Sequence, residues 1–226
     1  MKWPRKATAI VTLFATASAV AVTWQIHKLN SNKQLVDKAR TSQSNANRGD
    51  AKAETELGSM YYYGQGVSQD YVEARRWFRK AADQGDARAA FNIGYMYDSG
   101  LGVPQDYSEA LRWYQKSAGQ GEARAQISIG AMYYDGRGVQ QDRAVAANWY
   151  RRAADQGLAK AQYGLGYMYY YGQGTPVDRA EAYRWYHKAA DQGYEYAQRA
   201  LGLKSTRLNT WNKVTLSAIF LWCLWF

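Results

Sequence analysis

The sequence predicts an all-α fold, a solenoid of four helix-turn-helix repeats of 36 residues followed by a partial fifth repeat. One unit recurs from Asp50 to Gly193 without insertion or deletion. A glycine and a tryptophan keep the same place in every unit, at Gly58, Gly94, Gly130 and Gly166 and at Trp77, Trp113, Trp149 and Trp185. Fixed periods of about 20–50 residues are typical of stacked-repeat proteins. The units span 50–85, 86–121, 122–157 and 158–193, with a partial unit at 194–203.

The first half of each unit predicts an amphipathic helix that ends at a tight turn. In the second unit, one apolar stripe at helical spacing is formed by Ala89, Ile93, Met96 and Tyr97. Gly100 and Gly102 follow, and paired glycines allow positive φ angles at little steric cost. A sharp turn is therefore expected directly after the first helix.

The second half of each unit predicts another helix with a capped start. Asp106 followed by Glu109 resembles a capping box, in which the Asp accepts from free N–H groups and the Glu reaches back. Gly121 then ends the helix as a left-handed C-cap. The equivalent aspartates are Asp70, Asp142 and Asp178, and the equivalent glycines are Gly85, Gly157 and Gly193. We interpret the repeated aspartates as helix caps and not as acid catalysts.

The glycine inside each first helix needs a packing reason, because glycine in a helix costs about 1 kcal/mol relative to alanine. We expect Gly58 and its equivalents to allow close approach of the tryptophan on the second helix. The Ala81-Ala82 pair and its equivalents should let the next helix come near. Since one unit alone cannot bury its tryptophan, neighbouring units should share a continuous core.

Three motifs characterise the first unit: A-x-x-x-L-G-x-M-Y at 53–61, G-x-G-V at 64–67 and D-x-x-x-A-x-x-W-x-x-K-A-A-x-x-G at 70–85. These motifs resemble those of the Sel-1-like repeat family, which is related to the tetratricopeptide repeats. The resemblance implies a right-handed α/α superhelix that serves as a scaffold or adaptor for other proteins. Some Cys-rich bacterial relatives are said to bind or cleave β-lactams, but the repeats of this chain contain no cysteine.

Residues 1–24 resemble an export signal. Lys2, Arg5 and Lys6 precede an uncharged run of 18 residues at 7–24, and a basic start before an apolar run is typical of a secretory signal peptide. The same run is long enough to serve as an uncleaved membrane anchor. We therefore expect the repeats to lie outside the cytoplasm, either exported to the periplasm or anchored in a bacterial inner membrane.

Two segments flank the repeats. Residues 25–49 are rich in Asn, Ser, Gln and Lys, which predicts a polar, basic, solvated linker with room for a short helix at 34–39. Residues 204–226 form an atypical hydrophobic, aromatic tail that contains Cys223, the only cysteine. Three interpretations of this tail remain open: an interfacial segment in contact with a membrane, a lid over the last repeat, or the product of a shifted reading frame.

The positive charge lies outside the repeats. Residues 1–49 carry a net charge of +7, residues 50–193 are neutral, and residues 194–226 carry +3, which together give +10. A nucleic-acid-binding protein is expected to carry basic residues on its folded domain. The distribution therefore argues against nucleic acid as a partner and favours export, membrane topology or contact with anionic lipid.

The sequence offers no constellation for catalysis, metal binding or a cofactor. His27 lies in the predicted linker, and His187 takes a position held by Arg79, Gln115 and Arg151 in the other units, which indicates an exposed polar site. One cysteine is too few for an internal disulfide or a Cys-based zinc site. The paired glycines lack the Lys-Ser/Thr of a phosphate-binding loop. We predict a protein that is not an enzyme.

Function should then reside on first-helix residues that vary between units. Tyrosine suits recognition because it combines a large rigid ring with one hydroxyl group. By analogy with tetratricopeptide-like solenoids, we expect a concave groove that binds a protein or peptide partner through Tyr62, Tyr95, Tyr134, Tyr167 and Tyr170. Neighbouring positions should instead pack between repeats, namely Phe91, Ile127 and Tyr163.

The predicted function is that of a non-enzymatic protein-binding scaffold of the bacterial cell envelope. Two alternatives remain open. One is a cell-envelope hydrolase, such as a β-lactamase-like Sel-1-repeat enzyme, and the other is a binding protein that neutralises a secreted toxin, as immunity proteins do.

Overall fold

A computed structural model describes the backbone of residues 5–203 and, except at positions 26 and 28, the side chains of residues 24–203. Within this range the chain forms ten helices and no strand. They are α1 (Arg5–Ala46), α2 (Ala51–Tyr63), α3 (Tyr71–Asp83), α4 (Ala87–Ser99), α5 (Tyr107–Ala118), α6 (Ala123–Asp135), α7 (Arg143–Asp155), α8 (Ala159–Tyr171), α9 (Arg179–Asp191) and α10 (Glu195–Ala200).

The helices confirm the predicted all-α repeat fold. Each 36-residue unit contributes one pair, from α2/α3 to α8/α9, and α10 supplies the partial fifth unit. The described part of the chain divides into two compact units, one of residues 5–96 and 101–104 and the other of residues 97–100 and 105–203. In the first, α2 packs against α1 and α3. In the second, each helix from α5 to α10 packs against the next one along the chain.

The predicted turn and cap are present in every unit. Gly64 has a φ of +67° and ends α2 with its N–H bonded to the carbonyl of Met60. Asp70 begins α3, and its carboxylate accepts from the backbone N–H groups of Val72 at 2.9 Å and Glu73 at 3.0 Å. The same side-chain caps occur at the equivalent residues Asp106, Asp142 and Asp178. This geometry assigns the repeated aspartates a structural role, as predicted.

The second half of the expected capping box is absent from the first unit. The backbone N–H of Asp70 donates to the carbonyl of Tyr61 at 2.9 Å, so it has no need of the Glu73 side chain. Glu73 instead forms an ion pair with Arg76 at 3.3 Å. Hydrogen bonding between the end of the first helix and the start of the second thus replaces the reciprocal cap.

The partner of the helix glycine is also not the predicted one. A Cβ atom at Gly58 would lie 2.6 Å from the Phe78 ring, which follows Trp77 in the sequence. Trp77 instead packs with Leu57 and with Ala46 of α1. Because successive residues of a helix point about 100° apart, Phe78 faces its own first helix while Trp77 faces the preceding element.

The prediction that the tryptophan of one repeat is buried partly by the neighbouring repeat is confirmed in the fourth repeat. Trp185 is 5% exposed and packs against Leu165 of its own unit and against the Ala153-Ala154 pair of the third unit. The small alanine side chains leave room for the indole ring on the neighbouring unit. The core is therefore continuous across the boundary between the third and fourth repeats.

The predicted linker at 25–49 is wrong for residues 25–46, because they belong to helix α1. Ala39, Ser42 and Ala46 are at most 4% exposed and contact the repeats at spacings of three and four. Ser42 donates a hydrogen bond to Glu56 of α2 at 2.7 Å. The polar composition did not predict this helix, since its fully buried residues are small and form one narrow stripe.

The end of α1 keeps the register of the repeats. Gly66 lies against the backbone of Leu35, as Gly102 lies against that of Tyr71. Leu35 precedes Tyr71 by 36 residues, which is one repeat length. The last turns of α1 therefore take the place of the second helix of a preceding unit and cover α2.

The two ends of the chain carry expectations that fall outside the described residues. The predicted export signal or anchor at 1–24 involves side chains beyond this range, and so do the tail at 204–226 and Cys223. Among the described residues, no helix combines the length and the apolar character needed to cross a bilayer.

Candidate partner-binding surface

The five predicted tyrosines lie on first helices of the two compact units, and none is fully buried. Tyr95 is 43% exposed and Tyr167 is 37% exposed, whereas Tyr62, Tyr134 and Tyr170 are half-buried. Part of each ring is therefore accessible to a partner, and the rest of the ring packs against the protein.

The structure brings Tyr62 and Tyr95 together in the first compact unit. Burial, together with the nearby side chains of Tyr95, Tyr71 and Tyr63, raises the pKa of Tyr62 to about 12. The Tyr62 ring also packs edge-on against Tyr63 at 4.8 Å and Tyr71 at 5.2 Å between ring centroids. These contacts hold the rings in fixed orientations.

The equivalent pair in the second compact unit, Tyr134 and Tyr167, lines a cavity. Burial and the nearby Tyr167 side chain raise the pKa of Tyr134. The cavity has a volume of about 380 Å³. We call it the tyrosine pocket, and its lining residues are Tyr134, Tyr150, Lys160, Tyr163, Gly164, Tyr167, Met168 and Tyr194.

Tyr150 lies between two glycines of successive first helices. A Cβ atom at Gly130 or at Gly164 would lie 3.2 Å from opposite edges of its ring. Gly130 belongs to the repeated series, but position 164 is Glu56, Asn92 or Ser128 in the other units. The missing side chain at Gly164 thus exposes the Tyr150 ring to the pocket.

Tyr163 confirms the predicted packing role and also lines the pocket. It packs against the buried core formed by Ala189, Ala190 and Ala197. Its ring centroid lies 5.5 Å from that of Tyr194. Ile127, another residue predicted to pack, is 7% exposed and belongs to the core.

Tyr170 lies outside the tyrosine pocket. Its ring packs against Tyr171 at 4.8 Å and Tyr183 at 6.2 Å between centroids, and the guanidinium carbon of Arg179 lies 5.5 Å from its ring centroid. Tyr170 therefore belongs to a second aromatic cluster, at the end of α8 and the start of α9.

Four of the pocket tyrosines, Tyr134, Tyr150, Tyr163 and Tyr194, keep protonated hydroxyls at neutral pH. Desolvation raises the pKa of Tyr150 to about 12 and also raises the pKa values of Tyr134, Tyr163 and Tyr194. Neutral hydroxyls donate hydrogen bonds, and the rings supply apolar area. Within the described residues, no cluster of His, Cys, Asp and Glu has a geometry suited to a metal ion.

Lys160 contributes a cation that was not predicted as part of the site. It is exposed on the first turn of α8 and forms no ion pair with any described residue. The equivalent positions in the preceding units are also basic, being Lys52, Arg88 and Arg124. This periodic cation was visible in the sequence, but its place beside the tyrosines depends on how the helices stack.

Comparison with protein families identifies four consecutive matches. The model of the Sel1 repeat matches residues 51–86, 87–122, 123–158 and 159–194. These matches confirm the predicted family. A search of curated proteins found no match.

Two crystal structures are similar to the chain. One is a protective antigen of uropathogenic Escherichia coli with an SLR fold, at 41% identity and a TM-score of 0.70. The other is a Sel1 repeat protein from Oxalobacter formigenes, at 37% identity and a TM-score of 0.68. The matches cover 73% and 72% of this chain but only 35% and 65% of those proteins.

Proposed function

The chain belongs to the Sel1 repeat family, and from that premise we propose that it is a scaffold or adaptor that binds a protein or peptide partner on its first-helix tyrosines. The proposal is carried by the tyrosine pocket, where five tyrosines surround one cavity. Aromatic side chains in well-packed pockets dominate the energy of many protein interfaces.

The tyrosines of the pocket are preorganised. Tyr163 packs against Tyr186 and Tyr194, with ring centroids 5.5 Å apart in each pair, and the Tyr150 ring lies between Gly130 and Gly164. Ordering a flexible side chain on binding costs about 0.5–1.5 kcal/mol. Because these rings are ordered before the partner arrives, less of the binding free energy is lost on association. The proposed mechanism is binding without chemical conversion.

We also propose that the chain is exported to the periplasm or anchored in a bacterial inner membrane, with its repeats outside the cytoplasm. This proposal rests on the basic residues and apolar run at 1–24. The excess positive charge next to that run is consistent with contact with anionic lipid. Alkaline phosphatase, which folds only after export, should be active when fused after residue 203 and inactive when residues 1–24 are also deleted.

The binding proposal is tested by capture of partners from cell-envelope extracts. The wild-type chain should retain a partner, identified by mass spectrometry, that the Tyr134→Ala/Tyr167→Ala variant does not retain. Tyr183→Ala serves as the matched control, because Tyr183 is an exposed tyrosine of the same compact unit that does not line the pocket. Equal capture by all three folded proteins would remove the tyrosine pocket from the proposed function.

A further inference from the structure

We infer that the tyrosine pocket takes an acidic peptide segment, with an aromatic side chain among the tyrosine rings and a neighbouring carboxylate on Lys160. This inference rests on the proposed function and specifies the chemistry of the partner. It follows from the shape of the cavity, from a cation at its edge that forms no ion pair within the described part of the chain, and from the hydroxyl donors in its wall.

The cavity fits side chains better than an extended protein surface. Its volume of about 380 Å³ lies near the lower end of the range of about 300–1,000 Å³ for small-ligand sites. Tyr150, Tyr163 and Tyr167 present rings, and Gly164 leaves the Tyr150 ring uncovered. Aromatic rings prefer offset or edge-on packing against other rings, which favours an aromatic anchor.

The charge of the pocket favours a carboxylate. The ammonium group of Lys160 forms no ion pair with the described residues, and the guanidinium carbon of Arg143 lies 5.3 Å from the Tyr134 ring centroid. Asp135, next to Tyr134, already pairs with Arg137 at 3.3 Å. Lys160 at the pocket and Arg143 beside Tyr134 thus provide two cations, while the carboxylate of Asp135 is already paired, so a partner of opposite charge is favoured.

The hydroxyl groups support the same chemistry. Tyr150, Tyr163 and Tyr194 are neutral at physiological pH, since a tyrosine hydroxyl ordinarily ionises near pH 10 and desolvation raises their pKa values further. A neutral hydroxyl can donate a hydrogen bond to a carboxylate or to a peptide carbonyl.

Met168 provides a direct reporter, since its buried side chain lines the pocket. The full chain is labelled with ¹³C at the methionine methyl groups, and Met168→Leu assigns the signal. The peptide Ser-Asp-Phe-Asp-Ser is titrated against Ser-Asn-Phe-Asn-Ser and Ser-Asp-Ala-Asp-Ser. The first peptide should shift the Met168 signal saturably, whereas the other two should bind at least about fivefold more weakly.

Two charge variants distinguish the effect of Lys160 itself from the effect of the net charge of the chain. Lys160→Gln should lower the affinity for the acidic peptide by about fivefold at low salt. This factor corresponds to the upper end of the free energy measured for exposed ion pairs. Arg179→Gln removes the same charge beside Tyr170, outside the pocket, and should leave the affinity unchanged. Gly164→Ser introduces the residue found at the equivalent position 128 of the preceding repeat and should keep the fold. It should lower the affinity for the Phe-containing peptides, because the serine side chain narrows the pocket.

Three results would overturn the inference: equal binding of the amide peptide, equal effects of Lys160→Gln and Arg179→Gln, or an unchanged Met168 signal at millimolar acidic peptide. Capture from envelope extracts distinguishes this failure from that of the proposed function. If Tyr134→Ala/Tyr167→Ala still abolishes capture, the surface binds a partner of different chemistry. If that variant has no effect either, the proposed function fails as well.

Discussion

Gly58 on α2 packs so closely against the ring of Phe78 on α3 that a Cβ atom added at Gly58 would lie 2.6 Å from the ring. Gly166 and Tyr186 have the same relationship, with a distance of 2.8 Å. The glycine of each of these first helices therefore receives the ring that follows the tryptophan, and this contact sets how closely the two helices of a unit approach.

Gly58→Ala should lower the free energy of unfolding by about 1–2 kcal/mol, measured by urea denaturation. Overpacking of a core typically costs about 1–3 kcal/mol, and the 2.6 Å approach to the ring places this change in the upper half of that range. The higher helix propensity of alanine offsets about 1 kcal/mol. The double variant Gly58→Ala/Phe78→Leu should recover much of this loss, because leucine removes the ring edge. An unchanged or higher stability of Gly58→Ala alone would show that α2 and α3 do not touch as described.

The contact of α1 with the repeats predicts the effect of a charge at Ala46, which is 2% exposed and packs near Trp77. Ala46→Asp should lower the free energy of unfolding by about 3 kcal/mol, since an uncompensated buried charge typically costs about 3–5 kcal/mol. Asn47→Asp places the same charge on the neighbouring exposed position. Similar urea midpoints for the two variants would mean that α1 does not cover α2.

Glu54 is a nearly buried carboxylate at a position where two other units have glutamine. It is 3% exposed and accepts a hydrogen bond from Gln84 at 2.7 Å. The equivalent bond joins Gln156 to Gln126 at 3.0 Å. Desolvation raises the pKa of Glu54, and Lys80 and the hydrogen bond oppose that shift only in part. The ionised form is therefore less favourable in the folded chain than in the unfolded one.

Glu54→Gln should increase the free energy of unfolding at pH 7, because glutamine keeps the acceptor for Gln84 and removes the desolvated charge. A raised folded-state pKa means that wild type loses stability as the pH rises through the interval from the usual carboxyl value to the raised one. The advantage of the variant should therefore disappear near pH 4. Glu73→Gln, at the ion-paired surface of α3, serves as a control. A lower stability of Glu54→Gln at pH 7 would indicate that the charge is needed.

The cap at Asp142 offers a separate test of the helix starts. Asp142→Ala should lower the free energy of unfolding by about 1 kcal/mol, the usual value for loss of an N-cap. Its carboxylate accepts from Ala144 and Val145, each at 2.9 Å. Asp142→Asn keeps an acceptor at the same place and should restore most of the stability in thermal or urea unfolding. Equal losses for both variants would contradict a capping role.

The sequence predicted the repeat fold because its signals are local. The 36-residue period is unbroken, and each turn glycine and capping aspartate acts within a few residues of its own position. Gly64 and Asp70 could therefore be assigned from their spacing alone. The family resemblance and the helix pairs followed from the same residues.

The features that were missed depend on contacts between distant elements. Trp77 and Phe78 are adjacent, so composition cannot tell which ring faces Gly58. The buried stripe of α1 contains only small residues. Ala46 can be recognised as a buried residue only when the position of α2 is known. Lys160 and Gly164 become part of one pocket with Tyr134 only through the stacking of successive first helices.

Partner binding at the tyrosine pocket is tested most directly by site-specific photo-cross-linking in cells. A benzophenone amino acid replaces Tyr167, which lines the pocket, or Tyr183, which is similarly exposed but lies outside it. We predict one protein adduct that depends on light and on position 167 and that is absent with position 183. No adduct at position 167, or the same adducts at both positions, would contradict the proposed role of the pocket.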